Sequence, residues 1–97
     1  MGFVLWALAG CRDVEQACLR YVDARSACIA SAYEGDPEGK KAREAELEGI
    51  CDPYAGTRGR ASSRLLDCYA DTIDAGDCST PEAYFSTIGG VDACGEG

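Results

Sequence analysis

The sequence predicts a small all-α domain stapled by disulfides, a bundle of three main helices plus a short fourth helix. Three observations carry this reading. Apolar residues recur at helical spacing, and no stretch of useful length alternates as a strand does. Helix start and stop signals cut the chain into segments of helical length. Seven cysteines stand in a chain of 97 residues whose Leu, Ile, Val and Phe together number only sixteen. Burial of so few large side chains does not offset the chain entropy. Disulfides supply the difference, at about 2–4 kcal/mol each.

The elements follow in order. Val14, Cys18, Tyr21, Val22, Cys28, Ile29 and Ala32 form one stripe and predict a helix from about Asp13 to Tyr33. Arg20, Asp23 and Arg25 fall off that stripe, and Gly35 suits a left-handed cap. Asp36-Pro37-Glu38 restarts a helix, with Asp36 as N-cap and Pro37 at the first helical position. The segment to Gly49 is charged, with a narrow stripe of Ala42, Ala45, Leu47 and Ile50. Pro53, Gly56 and Gly59 mark a loop. A third helix is expected over Arg60 to Ala75, burying Ala61, Leu65, Cys68, Tyr69, Thr72 and Ile73, with Gly76 as its stop. Ser79-Thr80-Pro81-Glu82 reads as a capping box that opens a short helix to about Ile88. Gly89-Gly90 breaks it, and Val91 to Cys94 has room for one more turn.

Helix geometry narrows the cysteine pairing. An antiparallel hairpin about Gly35 sets Cys18 level with Cys51. If the third helix returns with even rise, Cys68 lies level with Arg43 and so with about position 27, within reach of Cys28. Cys78 and Cys94 then tether the last helix. The expected bonds are 18–51, 28–68 and 78–94.

The seventh cysteine, Cys11, ends the apolar run from Phe3 to Ala9. Leu8-Ala9-Gly10-Cys11 resembles the lipobox of bacterial lipoproteins, in which the chain is cut before the Cys and the thiol is lipidated. The resemblance implies that residues 1–10 are a signal and that residues 11–97 are a single disulfide-rich domain anchored through Cys11. It explains the odd cysteine. The expected localisation is export to periplasm, outer membrane or cell surface. Arg12, where Asp would signal retention, leans by the same resemblance toward the outer membrane. The expected role is a non-enzymatic structural or protein-interaction module. Alternatively residues 1–10 stay, and Phe3, Trp6 and Leu8 dock into a second copy in a filament or other extracellular assembly.

Two further resemblances bear on the chain. Cys51-Asp52-Pro53-Tyr54, Leu65-Leu66-Asp67-Cys68-Tyr69 and Asp77-Cys78-Ser79-Thr80-Pro81-Glu82-Ala83-Tyr84 are similar in texture to small cysteine-rich helical lipoproteins of high-GC bacteria such as myxobacteria. That group has no activity to transfer. Nine residues separate Cys18 from Cys28, and Cys68 from Cys78. This spacing resembles the twin CX9C hairpin of mitochondrial intermembrane-space proteins, which implies the pairs 18–78 and 28–68, with 51–94 left over.

The chemistry expected is sparse. The net charge is −8, which argues against nucleic acid and against an anionic membrane surface as a partner of the folded domain. No histidine is present, which removes the commonest general base and metal ligand. No Cys pair has zinc-knuckle or Cys-x-x-Cys spacing. Neither cofactor nor metal is expected, and no catalytic residue is assigned. Asp67, Asp71, Asp74 and Asp77 read as a solvated acidic face. Arg58, Arg60 and Arg64 form the one basic cluster. Tyr54 and Phe85 are candidate exposed interface anchors, since aromatics are over-represented at interfaces.

Overall fold

Asp13 opens the first helix in the computed structural model, which describes residues 13–96. Its carboxylate accepts the Glu15 N–H at 3.0 Å, satisfying one of the donors a helix start leaves free. The helix, α1, runs over Val14–Ala32. Gly35, at φ +89°, turns the chain, a backbone angle that suits glycine. Asp36 then caps α2 (Pro37–Ala45) by accepting the Gly39 N–H at 3.0 Å. A short 3-10 turn spans Asp52–Tyr54. Next come α3 (Arg60–Ala75), α4 (Pro81–Gly89) and a 3-10 segment over Gly90–Glu96. Among the described residues there is no strand, and the all-α class holds.

Two local expectations are corrected. First, α2 ends at Ala45, and none of its residues is buried. Ala42 and Ala45 are exposed, while Leu47 and, in part, Ile50 turn inward. The backbone bonds of Glu46, Leu47 and Glu48 reach back three residues, to Arg43, Glu44 and Ala45. The chain here tightens into turns instead of continuing as α-helix. Second, α4 is capped by Thr80, whose hydroxyl accepts the Ala83 N–H at 3.1 Å. Pro81 occupies the first helical position, which puts the cap at the residue before it. Ser79 instead donates its N–H to the Asp77 carboxylate at 2.9 Å. Gly76 ends α3 as expected, in extended backbone (φ −85°, ψ 172°). It is small because Thr87 approaches: a Cβ there would lie 2.7 Å from Thr87 Oγ1.

The main packing contact is α1 on α3. The two helices run parallel. Val14 N–H bonds Thr57 C=O at 3.1 Å at one end, and Cys28 bonds Cys78 at the other. The face of α3 that meets the core is Ser63, Leu66, Ala70 and Ile73, stepped by three, four and three residues. Of the expected stripe only Ile73 is fully buried. Cys68 and Thr72 serve a second face, against the C-terminal segment: Cys68 bonds Cys94, and Thr72 Oγ1 lies 3.6 Å from Cys94 Sγ. Tyr69 packs on Tyr21 with ring centroids 5.6 Å apart. One core cluster gathers Val14, Ala17, Cys18, Cys51 and Leu66. The other holds Ala24, Cys28, Ile29, Tyr33, Leu47, Ile73 and Tyr84.

The Cys18–Cys51 bond is present, but Cys28 pairs with Cys78 and Cys68 with Cys94. The expected 28–68 and 78–94 pairs are therefore wrong, as are the pairs implied by the twin CX9C pattern. The reason is the compact stretch between Ala45 and Arg60. It does not rise evenly, so α3 begins back at the level of Val14. Cys68 is then flanked by Asp67, bound to Arg20, and Tyr69, on Tyr21. That leaves it about two turns short of Cys28.

Among the described residues, Arg25 and Ser63 are the buried charged or hydroxyl-bearing aliphatic side chains. Arg25, expected off the stripe, is only 9% exposed. Its Nε and Nη2 donate to Tyr84 Oη at 3.2 and 2.7 Å, and Nη1 donates to Tyr21 Oη at 3.1 Å. Burial works against its charge, but the hydrogen bonds to Tyr84 and Tyr21 outweigh that, and its pKa is raised. Ser63 is fully buried, and its hydroxyl has no hydrogen-bond partner among the described residues. Ser63→Ala is expected to be neutral or to stabilise by up to about 1 kcal/mol, because it removes a desolvated, unpaired hydroxyl. Urea denaturation checks this, and a clear loss of stability would reveal a bond that the hydroxyl makes.

Candidate functional site

Three surfaces stand out, and the first is the end where α1 begins. Asp13 and Arg58 form an isolated antiparallel bridge. Together with the Val14–Thr57 bond it ties the start of the first helix to the loop before α3. Arg58, Arg60 and Arg64 are all exposed here. None of the three forms an ion pair among the described residues. Cys11, two residues before Asp13, lies outside the described residues. So do Phe3, Trp6 and Leu8.

The second surface is an open groove of about 410 Å³ beside the Cys28–Cys78 bond, with Ala27, Ser31, Asp74 and Asp77 on its walls. The hydroxyl and backbone N–H of Ser79 hold the Asp77 carboxyl below its usual range. Asp71, Asp74 and Asp77 are exposed, as expected of a solvated face, while Asp67 is half-buried. Asp67 and Asp71 are both engaged by Arg20, at 3.1 and 2.5 Å. Among the described residues no group of three or more Cys, Asp or Glu is placed to hold a metal ion.

The third surface is the outer side of α4. Phe85 is 48% exposed. Its ring meets Tyr84 edge-on at 5.3 Å, and the Arg43 guanidinium sits 5.6 Å from its centroid. Tyr54, the other aromatic expected to be exposed, is half-buried and packs against the Val14–Leu66 cluster. It is tied to the core because the Asp52–Tyr54 turn follows directly on the Cys18–Cys51 bond.

No family model matches the chain, and no curated protein or solved structure matches it. Its chemistry therefore rests on its own residues. Three disulfides within 77 residues, from Cys18 to Cys94, point to an oxidising, exported environment. No helix among the described residues is long and apolar enough to cross a membrane. Sequence reasoning missed Arg25, the polar link between α1 and α4. Its one visible signal was Tyr21, four residues earlier on the same helical face.

Proposed function

We propose that this protein is an exported envelope lipoprotein, anchored by lipid on Cys11, whose folded domain is a non-enzymatic structural or protein-interaction module. The cysteine count carries the reading. Six of the seven cysteines are consumed by three bonds within the chain. Cys11 is the seventh, so it has no cysteine left to pair with in its own chain. It stands directly after Leu8-Ala9-Gly10 at the end of an apolar run. A free thiol in an oxidising compartment is a hazard, and acylation removes it. A compartment such as the periplasm or the outer membrane fits both the lipid and the disulfides. The exposed Phe85 surface is the place on the domain for a protein contact.

The intact mass of the natively expressed, unreduced protein tests this. The expected mass is that of residues 11–97 plus acyl chains, less six hydrogens for three disulfides. A mass that begins at Met1 or Gly2 overturns the anchor. A covalent dimer through Cys11 does so too, and turns attention to self-assembly through Phe3, Trp6 and Leu8.

A further inference from the structure

We infer that the arginine-rich end of the domain, Arg58 with Arg60 and Arg64, rests on the anionic lipid phosphates of the leaflet that holds the Cys11 anchor. This rests on the lipidation of Cys11 and goes beyond it, since an anchor alone leaves the domain's orientation open.

The overall charge of −8 speaks against such a contact, but that charge is not evenly spread. Residues 53–66 hold three arginines and no acid, and Arg12 adds a fourth cation beside Cys11. The other described arginines are engaged: Arg20 by Asp67 and Asp71, Arg25 by Tyr21 and Tyr84, Arg43 by Glu46. Arg58, Arg60 and Arg64 are exposed and paired with no acid among the described residues.

The backbone then decides which way this patch faces. The Asp13–Arg58 bridge and the Val14–Thr57 bond clamp the start of α1 to the arginine loop. Cys11 is two residues from Asp13, so the backbone that carries the lipid can lie no more than about 7 Å from that clamp. Helix α1 carries the chain 19 residues away from it, about 28 Å. Beyond that far end come Glu34, Asp36 and Glu38, with Asp74 and Asp77 alongside at the end of α3. The tether and the three unpaired arginines share one end, where Asp13 and Glu15 are the nearby acids at the start of α1, while at the other end five acids face only Lys40 and Lys41. Above an anionic leaflet the acidic end is repelled and the arginine end is drawn down.

The test uses the acylated protein, its acylation read by intact mass on the same sample. The protein is inserted in vesicles of phosphatidylcholine alone, or of phosphatidylcholine with about a third phosphatidylglycerol. An arginine-selective dicarbonyl reagent is applied, and each site is followed by peptide mass spectrometry. Labelling of Arg58, Arg60 and Arg64 is expected to slow about fivefold on the anionic vesicles, the scale of one arginine at a charged surface. Arg43 should be unchanged, and salt near about 1 M should abolish the difference. Inorganic phosphate without vesicles should not reproduce the protection. Equal labelling on both vesicles, with acylation confirmed, overturns the membrane contact and leaves the patch to an acidic protein partner. Protection by free phosphate alone also overturns it. An unacylated product overturns the anchor, and this inference with it.

Discussion

Replacing Cys28 and Cys78 together by alanine is expected to lower stability by about 4 kcal/mol, the largest loss from any single cross-link. The two cysteines are 50 residues apart, against 33 for Cys18–Cys51 and 26 for Cys68–Cys94. A longer loop loses more freedom in the unfolded chain when it is closed. The bond also has neighbours to lose. Cys28 is 3% exposed within the cluster that holds Ile29, Ile73 and Tyr84. A domain of this size has a total stability of roughly 5–10 kcal/mol. The double variant therefore loses a large share of it, and a shift in urea midpoint measures the loss. A change under about 1 kcal/mol would mean that the unfolded chain is already restricted by the other two bonds.

The same pairing makes a covalent prediction. The loops 18–51, 28–78 and 68–94 overlap in turn, so every peptide bond between Cys18 and Cys94 lies inside at least one of them. Acid-directed proteolysis after Asp71 or Asp74 is expected to release no fragment until the protein is reduced. The unreduced peptides should join Cys28 to Cys78 and Cys68 to Cys94. With bonds 28–68 and 78–94, the same cut would separate the chain, so a released fragment or a Cys28–Cys68 peptide would refute the observed connectivity.

What the sequence discloses and what it conceals divide along physical lines. Local chemistry was legible. Asp36 followed by Pro37 fixes a helix start through the side chain and ring of those residues alone, and Gly59 and Gly76 bracket the third helix at both ends. The level of Cys18 with Cys51 depended on one turn, at Gly35, and was also legible. The other two bonds depended on how far the chain climbs between Ala45 and Arg60. That distance is set by turns packed against α1, not by any periodicity. The second face of α3 was hidden for a similar reason. It exists because the tail folds back to bring Cys94 to Cys68, and a single helical stripe cannot announce a neighbour 26 residues later. Of the surface sites, the arginine cluster was visible as composition. Its place beside the start of α1 came from the bridge between Asp13 and Arg58.

Arg25→Ala is expected to cost about 3 kcal/mol or more, the scale of leaving a buried hydrogen-bonded network without its centre. The guanidinium donates three hydrogen bonds to two hydroxyls that sit on different parts of the fold, Tyr21 on α1 and Tyr84 on α4. It also lies 5.8 and 5.9 Å from the centroids of those two rings. The nearest carboxylate, of Glu46, is 3.8 Å away and 44% exposed, so the charge is met mainly by phenol oxygens and ring faces. Alanine strands both hydroxyls and opens a void between α1 and α4. Arg25→Met fills much of that volume without a charge and is expected to cost less, about 1–2 kcal/mol. Arg25→Lys keeps the charge, but a single ammonium does not reproduce the planar fork that reaches both oxygens. A double-mutant cycle with Tyr84→Phe isolates the shared term, expected at about 1.5–3 kcal/mol for bonds to a charged donor. Coupling near zero would show that Arg25 is only packed there. Coupling of the expected size makes Arg25 the residue that holds α4 on α1, and so the residue that fixes where Phe85 is presented.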